Sequence, residues 1–236
     1  MDYIEDCSDE RHKSFCIYCG CAESSAPVSR DHVPTKGILL EPYPRNLPTV
    51  TVCRACNGGF SLDEEYLIAF LGAVLAGTTD PAAQKLPAAS RILGRNESLK
   101  SLIDRARQEC PSFGDEKQLI WMPDLERVRR VIVKNSRGHA FYEFGEPMLT
   151  EPASASAVPL QVLSDGQRTA FEHVDAGPGW PEVGSRMMTR LMSGHNLKDG
   201  WVVVQEGVYR YAVFQDDGIV VRTILHEYLA TEVLWE

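Results

Sequence analysis

Two Cys-x-x-Cys pairs, Cys16–Cys19 and Cys53–Cys56, bracket the dipeptide Asp31-His32, and Asn57 directly follows the second pair. Four thiolates in two such pairs are what a tetrahedral structural zinc ion requires. The 33 residues from Gly20 to Val52 exceed the gap of an ordinary zinc ribbon, so something is expected to be built between the knuckles. Cys21, two residues after Cys19, can substitute for a knuckle ligand, whereas Cys7 and Cys110 have no spaced partner and read as bystanders. Asp31 and Asn57 offer hard oxygen ligands for a catalytic Mg2+ or Mn2+ ion. His32, with an ordinary imidazole pKa of about 6.5, is the natural base at neutral pH. Strand side chains alternate, so the acid and the histidine are expected on opposite faces, flanking one phosphate. A base, a dication and a braced scaffold are what phosphodiester hydrolysis needs.

The flanking sequence predicts how these groups are positioned. Residues 28–33 read as a short strand stopped by Pro34, and the β-branched run 49–52 reads as a second strand entering the second knuckle. Ser61 followed by Glu64 is a capping box, with Asp63, Glu64 and Glu65 placing acid in a first turn. It predicts a helix starting at Ser61 and ending at Gly77. The order is strand, strand, helix, with zinc clamping the base, over a module of residues 1–80.

Residues 81–236 are expected to add helices over 91–108 and 124–135, the second stopping at Arg137-Gly138. A strand at 160–163 follows, then an antiparallel sheet of strands 201–205, 208–214 and 219–225 with a hairpin turn at Asp216-Asp217-Gly218. Residues 227–235 are expected to close it with a short helix. The class is α+β, with a zinc-clamped N-terminal module, a helical segment and a C-terminal antiparallel sheet region whose role is substrate or partner binding.

Composition narrows the function classes. The net charge is −9, which argues against a protein that coats nucleic acid nonspecifically. The charge is uneven: residues 81–137 hold 12 basic and 7 acidic side chains, a local balance of +5. Arg127, Arg129, Arg130, Lys134 and Arg137 fall on or near one helix and could form a phosphate-binding face, against the plainer reading of a solvated helix surface. No apolar run approaches the roughly 18 residues of a membrane span, and the acidic N-terminus lacks the pattern of a signal peptide. A cytoplasmic protein without membrane contact is expected, in which cysteines serve as ligands or free thiols rather than disulfides.

The series Cys16-x-x-Cys19, Asp31-His32-Val33-Pro34 and Cys53-x-x-Cys56-Asn57 resembles the zinc-containing HNH endonucleases of the ββα-metal class, their phage Holliday-junction resolvase branch included. The resemblance covers about residues 13–76. It implies a metal-dependent endonuclease acting on nucleic acid, DNA foremost. Asp31 and Asn57 would hold the divalent ion and His32 would be the general base. Cys16, Cys19, Cys53 and Cys56 would form the structural zinc set. The family's middle residue, an Asn that braces the loop between the strands, matches best at Asn46, seven residues before Cys53 and further than is common. Where many members carry a basic residue after the final Cys-Asn, this chain reads Gly58-Gly59-Phe60. Arg30, Lys36 and Arg54 are candidate phosphate contacts near the site, with Arg129, Arg130 and Lys134 further along. The competing reading is a catalytically inactive zinc-knuckle adapter that binds nucleic acid or a protein partner. A homo-oligomer or a protein partner is expected to restrain such a nuclease. A small-molecule zinc hydrolase fits poorly, because four cysteines close the metal shell.

Overall fold

The computed structural model describes residues 1–9, 13–111, 117–174 and 180–236. The fold is α+β, as expected. Strand β1 (Val28–His32) pairs antiparallel with β2 (Thr49–Cys53), Asp31 opposite Val50 and His32 opposite Thr49. Helix α1 (Arg54–Ala76) follows β2 without a break. It therefore starts seven residues before Ser61, the start that the capping box predicts. Gly58 and Gly59, each costing about 1 kcal/mol relative to Ala inside a helix, mask the true start. The Cys56 amide donates to the Cys53 sulfur at 3.4 Å, so a thiol caps the first turn where a hydroxyl was expected. Asp63 consequently lies mid-helix and buried.

Next come α2 (Pro87–Arg95) and α3 (Glu97–Arg105), where the sequence predicts one helix. Asn96 separates them, its side chain accepting from the Leu99 amide as an N-cap at 3.0 Å. Strands β3 (Arg107–Pro111) and β4 (Lys117–Trp121) form a second small hairpin. Helix α4 (Leu125–Phe144) runs straight through Arg137-Gly138, the expected stop. A Cβ on Gly138 would lie 2.5 Å from the Val33 side chain, so the glycine is there for close approach of helix to hairpin.

The C-terminal sheet has six antiparallel strands, not three. These are β5 (Ser154–Pro159), β6 (Leu197–Lys198), β7 (Trp201–Gln205), β8 (Tyr209–Gln215), β9 (Ile219–Leu225) and β10 (Leu229–Trp235), in the order β5-β10-β9-β8-β7-β6. Two short helices, α5 (Asp165–Glu172) and α6 (Arg186–Ser193), precede β6. The strand expected at 160–163 is a 3-10 turn at Leu160–Val162, and β5 lies just before it. The closing helix expected over 227–235 is β10. His226 and Glu227 both adopt positive φ, 53° and 47°, and the Tyr228 amide donates to the Leu225 carbonyl at 3.0 Å. That is a tight primed turn built without the usual Asn-Gly or Asp-Gly, so its sequence signal is weak.

The chain divides into two compact units, Met1–Gly59 with Ile132–Glu236, and Phe60–Val131. The division falls inside α1 and α4 rather than at residue 80. In the second unit, Tyr66 stacks on Phe70 and Phe70 meets Trp121 edge-on. In the first, the sheet buries residues on both faces, which is why β8 and β9 read as nearly continuous apolar runs. Trp201, Ala212, Phe214, Val220 and Ile224 belong to one core cluster. On α4, His139 stacks on Tyr211 at 3.7 Å between ring centroids and bonds the Tyr209 hydroxyl at 2.9 Å. Glu143 accepts a bidentate pair from Arg190 at 2.9 and 3.0 Å and a short hydrogen bond from Tyr211. The loop between β1 and β2 is tied to this sheet as well. Gln205 bonds both the Leu40 amide and carbonyl, and His226 bonds the Ile38 carbonyl. Among the described residues, no helix is long and apolar enough to cross a membrane.

Candidate metal centre and hairpin site

The two knuckles converge. Sulfur atoms of Cys16, Cys19, Cys21 and Cys53 all lie within 4.8 Å of one another, a set that could hold a metal ion. Cys19 and Cys53 sulfurs are 3.8 Å apart. Bonds of about 2.3 Å to a tetrahedral zinc place sulfurs roughly 3.8 Å apart, so this edge already has the required length. The turn that folds the first knuckle is local. Gly20 at φ 71° reverses the chain, its amide donating to the Cys16 carbonyl at 2.8 Å, and the Cys16 amide donates to the Cys21 carbonyl at 2.9 Å.

This compact quartet contains Cys21 where the expected set contains Cys56. Cys56 is nevertheless part of the cluster, for its thiol interacts with those of Cys53 and Cys19. Five thiols therefore surround a site that takes four. Three of them, Cys16, Cys19 and Cys53, are common to both sets. Backbone N–H donation from Cys21, with side-chain hydrogen bonds among the thiols, pulls the Cys19 pKa down to about 7. Burial pushes the Cys56 thiol up. Thiolate is the ligand form, so the cluster is partly prepared for a soft ion. Cys7 is exposed, and the Cys110 side chain lies outside the described residues.

Asp31 is only 7% exposed. Its Oδ2 accepts from the Tyr18 hydroxyl at 2.8 Å, and Lys134 Nζ lies 3.0 Å from Oδ1 and 2.9 Å from Oδ2. Asn57, in the first turn of α1, donates from Nδ2 to the Ser29 hydroxyl at 3.0 Å. Ser29 and Asp31 are two apart on β1, so Asn57 addresses the same strand face as Asp31. His32 occupies the other face, half-buried, and its ring makes no hydrogen bond among the described residues. Burial first, and then the charges of Lys36 and Lys134, hold its pKa below 6.5, with Asp31 opposing them.

The remaining expected site residues divide. Arg30, Lys36 and Arg54 are exposed. Lys36 lies 4.3 Å over the Tyr43 ring, and Arg54 Nε reaches the Val28 carbonyl at 3.4 Å. Asn46 is exposed at φ 56°, in the left-handed region that asparagine tolerates, and its amide bonds the Met1 carbonyl at 3.2 Å. It shapes a turn, and among the described residues its side chain makes no hydrogen bond that braces the strands. The expected basic face of α4 is largely consumed internally. Arg127 and Arg130 pair with Asp63 at 2.8 and 2.6 Å, and Arg137 bonds the Thr150 carbonyl and Glu151. Lys134 is fully buried, and Arg129 is half-buried. Lys134 is thus corrected from a phosphate contact to a buried ion-pair partner, whereas Arg130 pairs with Asp63 while its side chain stays 48% exposed.

The partners that sequence reasoning missed are Tyr18 and Lys134. Tyr18 sits inside the first Cys-x-x-Cys, so its closeness to the hairpin was a recoverable signal. Lys134 is 103 residues from Asp31, and nothing local pairs them. Comparison of the chain with protein-family models, with curated proteins and with solved structures finds no match in any of the three.

Proposed function

We propose that the cysteine cluster holds a structural zinc ion, and that the hairpin it clamps cleaves phosphodiester bonds in nucleic acid, DNA foremost, as in the HNH endonucleases that the motif resembles. The observation that carries this reading is the arrangement around β1. Asn57 braces the helix-facing side through Ser29, and His32 stands on the other side with an unbonded ring. A pKa held below 6.5 leaves the imidazole neutral at neutral pH and ready to take a proton from water. Arg30, Lys36 and Arg54 are exposed cations that can meet a phosphate backbone. Zinc supplements a core that a hairpin of two five-residue strands cannot supply for itself.

In this reading Asp31 and Asn57 would hold the Mg2+ or Mn2+ ion, and here the residues do not fit the ion. Both Asp31 oxygens already face the Lys134 ammonium, so no step is routed through a divalent ion. The same observation favours a second reading, in which the module binds nucleic acid or a protein partner without cutting.

A plasmid-nicking assay in Mg2+, in Mn2+ and in EDTA separates the two. The nuclease reading expects nicking, and expects His32→Ala to lower its rate by roughly 10²–10⁴-fold with zinc content unchanged, because the ring holds up no other group. Absence of nicking under all three conditions, with nucleic acid still bound, leaves the adapter. Equal nicking by His32→Ala places the chemistry elsewhere.

A further inference from the structure

A cation already sits at Asp31. Lys134 Nζ lies 3.0 and 2.9 Å from the two carboxylate oxygens and donates to the Thr35 hydroxyl at 3.3 Å. An ammonium has three donors, and both Asp31 oxygens and the Thr35 hydroxyl lie within reach of this one. The Tyr18 hydroxyl takes part of the remaining capacity of Oδ2. The Lys134 side chain is 0% exposed, so the ammonium cannot retreat into solvent when a competitor arrives.

Its position is also built in from the helix. The neighbouring Asn135 side-chain carbonyl accepts from both the Thr35 amide and hydroxyl at 3.1 Å, which fixes α4 to the chain just beyond β1. Gly138, one turn on, allows the contact with Val33. A dication bound to either carboxylate oxygen would lie against this ammonium with no water between them. Displacing the ammonium from Asp31 would strand a buried charge without its counter-charge.

We infer that Lys134 stands in for the divalent cation at Asp31, so that the hairpin meets phosphate without a divalent ion. The inference takes from the proposed nuclease reading only that Asp31 marks the ligand position. Neutralising the phosphate then falls to the exposed Arg30, Lys36 and Arg54, while the Asp31–Lys134 pair locks the hairpin to α4.

Mn2+ binding to the zinc-loaded full chain, read by electron paramagnetic resonance, tests this without reference to cleavage. Wild type and Asp31→Asn should bind millimolar Mn2+ indistinguishably, any weak sites being elsewhere on an acidic surface. A stoichiometric site in wild type that Asp31→Asn removes overturns the inference. Lys134→Met, checked for zinc content and near-ultraviolet circular dichroism, should gain on the order of 10-fold or more in Mn2+ affinity at a site that Asp31→Asn abolishes. A folded Lys134→Met that gains nothing also overturns it. Should that variant not fold, the wild-type comparison decides alone. A protein that nicks nothing would sink the nuclease reading and leave this result standing, since binding is read directly.

Discussion

On the proposed zinc reading, Cys53→Ser should release the metal and unfold the β1–β2 hairpin, the largest loss we expect from any single replacement. Cys53 ends β2, accepts the Cys56 amide that starts α1, and lies 3.8 Å from the Cys19 sulfur. It therefore joins strand, helix and knuckle at one atom. Structural zinc contributes on the order of 10–16 kcal/mol of binding free energy in small zinc modules, and where no site exists in the unfolded chain that energy is folding energy. A strong chelator should reproduce the effect on the wild type. Cys21 and Cys56 should behave differently. Each interacts with both Cys19 and Cys53, so either can complete a four-thiolate shell when the other is missing. Cys21→Ser and Cys56→Ser should each keep one zinc per chain by elemental analysis, and the double variant should lose it. Zinc loss from one single variant alone would show that the fourth ligand is unique and name it.

The parts of the site legible in the sequence are those whose chemistry is local. The knuckle spacing, the alternating 49–52 strand and the Asp216-Asp217-Gly218 turn each carry their own signal; the strand and the turn form as expected, and the knuckles converge with Cys21 in the compact quartet in place of Cys56. The helix start was misread because Ser61-x-x-Glu64 is a genuine capping pattern, whereas the cap in use is a cysteine sulfur followed by two glycines. The last strand was misread because Leu229, Ala230 and Glu232 favour helices, and the deciding positive-φ turn at His226-Glu227 uses residues that do not announce it. The charge on α4 was misread for a different reason. Five cations near one helix suggest an outward face, but Lys134 and Arg137 lie in the fully buried stretch 131–140, and the anions that pair with this helix lie on α1, on β1 and beyond its own end, which leaves only the 127–130 turn partly outward. Only tertiary structure brings Asp63, Asp31 and Glu151 to them.

That pairing changes what a replacement at Asp31 reports. In the sequence reading Asp31 is a ligand of the catalytic ion, so Asp31→Ala would inactivate by losing that ion. The structure instead expects Asp31→Ala to destabilise the protein by about 3–5 kcal/mol, the usual cost of leaving one member of a buried pair alone. Lys134→Met should cost a similar amount by orphaning the carboxylate. The double variant Asp31→Asn/Lys134→Met should recover much of the loss, because replacing both members of a buried pair is often near neutral. Urea denaturation of the zinc-loaded wild type, both single variants and the double variant closes the cycle. Additive losses would mean that Lys134 and Asp31 are not coupled. Stabilisation by Asp31→Ala would show that the carboxylate carries uncompensated charge, as an open metal site does. The cycle also decides how the cleavage assay is interpreted. Inactivity of Asp31→Ala cannot be assigned to chemistry while the hairpin is loosened from α4. His32→Ala can be, because its ring makes no hydrogen bond among the described residues.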